Sequence, residues 1–168
     1  CTSDFLETSF EPCLLQGGRP GPDVWLVGDS HAQHWVAAME LASRQYGWTV
    51  HVALKSSCPM ADVHFVLPAL GRDFSECWSW REAALRTIES TSPALVILTA
   101  SEGSVGRGGP TPSEWQTGLE ATFARLRAAS VPVVYVRDTP APRFDVPACM
   151  ARNRWTESWL SPRECRFP

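Results

Sequence analysis

Four short apolar runs alternate with three segments of helical period, and that alternation leaves few architectures open. The runs are residues 23–27, 48–54, 94–99 and 131–136. Each is short, rich in β-branched residues and apolar at successive positions, the pattern of a strand buried on both faces. Between the first two, Trp35, Ala38, Met39, Ala42 and Tyr46 recur at three- and four-residue steps, with Gly47 as a stop. Trp80, Ala84, Leu85 and Ile88 mark a second helix over 75–90. Trp115, Leu119, Phe123 and Leu126 mark a third, which the capping box at Ser113-Glu114-Trp115-Gln116 opens. Strands alternating with helices predict a three-layer α/β sandwich on a right-handed parallel sheet. The expected order is the flavodoxin-like 2-1-3-4, with the first strand central and a fifth strand absent.

At 168 residues the chain fits a single domain, 1–168, able to bury a core. Residues 1–22, with Pro12, Pro20, Pro22 and the Gly17-Gly18 pair, read as an irregular lead-in. Residues 138–168 read as an irregular tail with a helical turn near 154–160, and four strands suggest that the C-terminal part of the full domain is missing. A net charge of −3 without any basic run excludes a nucleic-acid binder. No apolar stretch approaches the roughly 20 residues that span a bilayer. The chain starts without a signal-like segment, so an export signal or membrane anchor is expected outside it.

Six cysteines could pair in fifteen ways. Their positions fall into local couples, Cys1–Cys13, Cys58–Cys77 and Cys149–Cys165, each closing a loop outside the strands. An even number of cysteines in a loop-rich chain suits disulfides in an oxidising compartment. The zinc alternative lacks a Cys-x-x-Cys pair or a His-x-x-x-His near a cysteine. An extracytoplasmic domain with no metal and no organic cofactor is the expectation.

Chemistry is expected at the carboxyl ends of the strands, where open α/β sheets bind ligands. The first strand runs through Val24-Trp25-Leu26-Val27-Gly28 into Asp29-Ser30-His31-Ala32, with Ser30 at the tip of a strand-to-helix turn. A hydroxyl beside the free N–H groups of a helix start is a candidate nucleophile with oxyanion donors at hand. Asp29 or Ser30 as a plain helix cap is the other reading of the same spacing. Ser56-Ser57-Cys58-Pro59 follows the second strand, and the Ala100-to-Gly109 loop follows the third, both at that edge.

Gly28-Asp29-Ser30-His31-Ala32 resembles the first motif of the SGNH/GDSL hydrolases. With Trp35, the Ser56-Ser57-Cys58-Pro59 turn, the Cys77-Trp78 pair, the Val96-Ile97-Leu98-Thr99 strand and Asp138-Thr139-Pro140 before Cys149, the chain resembles the SGNH domains fused to bacterial membrane acyltransferase-3 proteins. The resemblance covers nearly the whole chain and implies O-acylation of cell-surface glycans. Ser30 would be the nucleophile, Asp29 a support of the turn, and Ser57, Ser101 and Gly103 would contribute to the oxyanion and binding site. A membrane acyltransferase domain would deliver the acyl donor, and a glycan would accept it.

Two departures stand out. The stretch Thr99-Ala100-Ser101-Glu102 lacks the family's asparagine, and no histidine follows His64, so its Asp-x-x-His is absent. His34, one turn beyond Ser30, is the substitute base considered. His31 is expected to point away from Ser30, His51 to sit on a strand, and His64 to lie in a loop. Besides acyl transfer from a domain tethered to the membrane in the full protein, three readings stay open. They are a carbohydrate esterase, a catalytically degenerate glycan-binding or docking module, and a phosphate binder, which lacks a Gly-rich loop.

Overall fold

In the computed structural model, Val24 and Leu26 face one helix layer while Trp25 and Val27 face the other, all four at most 2% exposed. Residues 1–15, 21–103, 105, 109–139, 144–155 and 165 are described, without the side chains of 152–155. They form two compact units, 1–138 and 139–168.

In chain order the first unit holds β1 (Thr2–Ser3), β2 (Cys13–Leu15), β3 (Asp23–Gly28), a 3-10 turn (Ala32–Trp35), α1 (Val36–Tyr46) and β4 (Thr49–Lys55). There follow β5 (Val66–Leu67), β6 (Arg72–Asp73), α2 (Ser75–Thr91), β7 (Leu95–Thr99), α3 (Pro112–Ala128) and β8 (Val133–Tyr135). The main sheet runs β1-β4-β3-β7-β8, with β2 also on β4. Strands β4, β3, β7 and β8 are mutually parallel, which is the expected 2-1-3-4 order with β3 central. Register pairs Gly28 with both Leu54 and Thr99, so three strands end together and their loops leave from one edge.

On one face, Ala32 and Met39 cover Val24, Leu26, Val50, Val52 and Leu54. On the other, Trp80, Ala84, Leu85 and Ile88 of α2 and Leu126 of α3 cover Trp25, Val27, Ala53, Val96 and Leu98. Burying each aliphatic side chain of this kind stabilises the fold by roughly 1.5–3 kcal/mol.

Several expectations need correction. The lead-in is not wholly irregular: β1 adds parallel and β2 antiparallel to β4, giving a sheet of six strands instead of four. Lys55, buried at the end of β4, fixes this segment by donating to the carbonyls of Asp4, Phe5 and Glu7. Phe10 stacks on Trp25, sealing the same segment to the core. The inner face of α1 carries Met39 and Ser43, whereas Trp35, Leu41 and Tyr46 are exposed. The helix is entered through a 3-10 turn, which advances about 120° per residue against about 100° in an α-helix, and this displaces the buried stripe. Thr111, not Ser113, caps α3, because Pro112 occupies the first helical position and Glu114 returns to the Thr111 N–H. Within 55–74, read as aperiodic, β5 and β6 form a small antiparallel hairpin.

The second unit contains α4 (Val146–Trp155), so the tail expected to be irregular is helical there. Of the turn expected near 154–160, residues 156–160 lie outside the described residues, as do Gly17, Gly18 and Pro20 of the lead-in and residues 106–108 of the loop after β7. Disulfides join Cys1 to Cys13, Cys58 to Cys77 and Cys149 to Cys165. Among the described residues no helix is long and apolar enough to cross a membrane.

Candidate active site

Gly28 brings β3 and β7 together where the strands end. A Cβ there would lie 1.9 Å from the Thr99 carbonyl oxygen, so only glycine fits this approach. The chain then turns through Asp29, Ser30 and His31, with Ala32 N–H donating to the Asp29 carbonyl at 3.0 Å and Gln33 N–H to that of Ser30 at 3.3 Å.

Asp29 is buried and ties two loops together. Its Oδ1 accepts from His31 N–H and its Oδ2 from Ser101 N–H, each at 2.8 Å. Burial pushes its carboxyl above the ordinary carboxylate value, against the lowering influence of those two N–H groups and of His31.

Ser30 is exposed at the wall of a cavity of about 280 Å³. His31, Ser57 and Ser101 share that cavity, and Phe65, Leu67 and Trp115 supply apolar wall. The His31 imidazole is half-buried, and its Nδ1–H donates to Asp138 Oδ1 at 2.7 Å. Asp138 Oδ2 accepts from Glu102 N–H at 3.1 Å. The loops after β3, β7 and β8 are thereby joined by two carboxylates. Glu102 extends the network, accepting from Tyr135 and Arg137. Burial and the Glu102 carboxylate both raise the Tyr135 phenol far above its usual value.

Ser57 stands at the third position of a turn closed by Cys58 N–H donating to the Lys55 carbonyl at 3.0 Å. Its φ of 57° is left-handed, a conformation that turns of this type ordinarily give to glycine or asparagine. No side-chain hydrogen bond of Ser30 or Ser57 is formed among the described residues, so both hydroxyls are open to a ligand. The residues after β7 differ. Ser101 N–H is committed to Asp29, and Gly103 N–H donates to Ser101 Oγ at 3.2 Å. Gly103 itself is exposed and does not line the cavity.

The other histidines stand apart from that wall. His34 is exposed, its ring centroid 5.2 Å from that of His31. His51 stacks on Trp25 and pairs with Asp23 through Nε2 at 3.0 Å. His64 lies against Trp78 with ring centroids 3.8 Å apart. Sequence reasoning placed His31 pointing away from the serine and gave Asp138 no part in the site. The available signal was that Asp138 follows the fourth strand, and parallel strands deliver their following loops to one edge. Among the described residues no group of three or more His, Cys, Asp or Glu side chains is arranged to hold a metal ion.

A model of the family described as "SGNH domain (fused to AT3 domains)" matches residues 1–168. No curated protein sequence matches the chain. Among solved structures, the periplasmic domain of a lipopolysaccharide acetyltransferase from Salmonella ser. Paratyphi A is similar, with a TM-score of 0.64 over 88% of this chain and 17% identity. At that identity the likeness is one of fold. The match spans 55% of the neighbour's chain, about half its length.

Proposed function

This chain belongs to the SGNH domains fused to AT3 domains, and from that premise we propose that it carries an acyl group on Ser30 for a membrane O-acyltransferase. The group, acetyl in the simplest case, passes from a donor supplied by the membrane domain to a hydroxyl of a cell-surface glycan. The observation that carries the reading is the cavity at the carboxyl edge of the sheet that Ser30 shares with His31, whose Nδ1 is held by Asp138. An imidazole oriented by a carboxylate and a free hydroxyl on one cavity wall are the groups that nucleophilic acyl transfer uses.

In this mechanism Ser30 Oγ attacks the acyl carbonyl carbon while its proton passes to Nε2 of His31, since Nδ1 is held by Asp138. The tetrahedral oxyanion accepts hydrogen bonds from Ser30 N–H and from Ser57. Its collapse expels the donor's leaving group with the proton from His31 and leaves an ester on Ser30. The glycan hydroxyl attacks that ester and gives its proton to His31, which passes it to Ser30 Oγ as the bond from Ser30 to the acyl carbon breaks, leaving the glycan ester and the free serine. Splitting one transfer into two lowers each barrier. Three disulfides support an oxidising, extracytoplasmic setting. His34, considered as the base from sequence, is a weaker candidate because it lies off the cavity wall.

One observation favours a binding module without turnover: the N–H groups of Ser101 and Gly103 are already occupied, which leaves fewer oxyanion donors. Hydrolysis of p-nitrophenyl acetate by the chain, with Ser30→Ala and His31→Gln alongside, separates the two. Loss of turnover in both variants supports acyl transfer through Ser30. Absence of any Ser30-dependent turnover leaves the binding module.

A further inference from the structure

The segment between β4 and α2 has two sides. Pro59 and Phe65 to Pro68 line the Ser30 cavity, whereas Asp62, Val63 and His64 line a separate cleft over α2 and α3. That cleft comprises a recess of about 220 Å³ and an adjoining one of about 420 Å³, which share Asp62, His64 and Ala121. We propose that it binds an uncharged sugar ring of the acceptor glycan, so that the polymer runs across this segment towards Ser30. The assignment of the sugar to an acceptor rests on the function proposed above; the site itself stands on its own geometry.

The chemistry of the walls selects the ligand. The imidazole of His64 is exposed and packs at a 45° tilt against the indole of Trp78, giving a continuous aromatic surface. The Trp78 indole N–H is buried in this wall with no partner among the described residues. Those of Trp25 and Trp80 are also unpaired but belong to the sealed core. The Trp78 donor is shielded from solvent, so its resonance reports on the wall without requiring a hydrogen bond to the ligand. Asp62, whose side chain is 57% exposed, and Glu82 provide carboxylates that accept from hydroxyls. An aromatic face flanked by fixed carboxylates matches a polyhydroxylated ring, whose C–H face packs on the aromatic group while its hydroxyls donate to the carboxylates.

Charge argues against an anion. The cations here are already engaged: Arg81 with Asp62, and Arg125 with both Glu82 and Glu89. No guanidinium of the cleft is left to meet a phosphate or carboxylate. The wall is also held in place before any ligand arrives. Arg81 donates to the carbonyls of Ala61 and Val63, Thr122 to that of Met60, and Asp62 N–H to that of Gly118. Gly118 admits this contact because a Cβ would sit 2.7 Å from the Asp62 carbonyl oxygen. The Cys58–Cys77 disulfide anchors the same segment to α2. Rigid walls lower the ordering cost of binding.

The test is a titration of this chain with neutral tri- and tetrasaccharides of glucose, mannose and N-acetylglucosamine, with an oligogalacturonate as the anionic counterpart. The Trp78 indole N–H resonance, assigned with Trp78→Phe, is the site-specific readout. Saturable binding of a neutral oligosaccharide that shifts this resonance, weakened about tenfold in both His64→Ala and Asp62→Asn and unchanged in the distant Arg44→Ala, is the expected result. Thermal melts show whether each variant is folded. Absence of saturable binding at millimolar concentrations, preference for the oligogalacturonate, or indifference to both variants overturns the proposal. Ester hydrolysis is measured in parallel: sugar binding without Ser30-dependent hydrolysis retains the cleft and removes the acyl-transfer reading, and the reverse outcome removes the cleft alone.

Discussion

Asp138 accepts a hydrogen bond from Nδ1 of His31 at 2.7 Å across 107 positions of sequence. The bond fixes one face of the imidazole and leaves Nε2 for other work. It also anchors the loop after β8 against the turn after β3, because the same carboxylate accepts from Glu102 N–H. A pair made this way depends on strand order, since two separate loops must reach one sheet edge.

Ser30→Ala is expected to abolish hydrolysis of p-nitrophenyl acetate while leaving the fold intact. The side chain is exposed and makes no hydrogen bond among the described residues, so thermal stability should change by less than about 0.5 kcal/mol. Steady-state kinetics and a thermal melt of the variant check both halves.

Asp138→Asn keeps a hydrogen-bonding group in place but can favour the wrong imidazole tautomer. The expected loss in kcat is roughly a hundred- to ten-thousand-fold with KM little changed. An equal rise in KM with kcat preserved would assign the pair to binding instead.

Ser57 holds its left-handed φ of 57° at a cost that glycine does not bear. Ser57→Gly should therefore leave stability unchanged or raise it by up to about 1 kcal/mol. If its N–H is the oxyanion donor, the rate should stay within about tenfold of the parent. A greater fall assigns the role to the hydroxyl. Urea denaturation and initial rates measure the two effects.

Gly28→Ala introduces a methyl group against the Thr99 carbonyl, which is backbone and cannot rotate away. Overpacking of this kind costs about 1–3 kcal/mol or more. The strand ends would separate, so turnover should fall together with the urea midpoint.

Glu76 carries an acid-range signature. Its hydrogen bond with Arg72 is the main cause that lowers its pKa from 4.5 to about 2. A depressed pKa means that the folded state favours the carboxylate, so the pair's contribution is complete above about pH 4.5 and lost as pH falls through about 2. An NMR titration of the Glu76 carboxyl should show the low midpoint, and Arg72→Ala should return it towards 4.5.

Much of the architecture was legible because it depends on local period. Continuous apolar runs such as Val24 to Val27, short and rich in β-branched residues, read as strands buried on both faces, and they took the expected order. The cysteine couples were legible for a related reason: partners 12 to 19 residues apart lie outside the four long apolar runs and close local segments between or beyond them. The position of Ser30 at the sheet edge followed from the strand that precedes it. Less legible was the buried face of α1, because one 3-10 turn rotates every side chain after it.

The partners of the site belong to the tertiary structure. The nearness of Ser101 N–H to Asp29, and of Asp138 to His31, arises from register between β3, β7 and β8 and from loop conformations that have no period. Nothing in the spacing of residues 101–103 announces that their N–H groups are spent on carboxylates and a hydroxyl. Sequence alone determined the four central strands, their order and which residues stand at their ends, since hydrophobic period and turn chemistry act within a few residues. Which of those end residues touch was decided only when the sheet assembled, because hydrogen bonds between loops depend on ångström-scale register that local sequence does not encode.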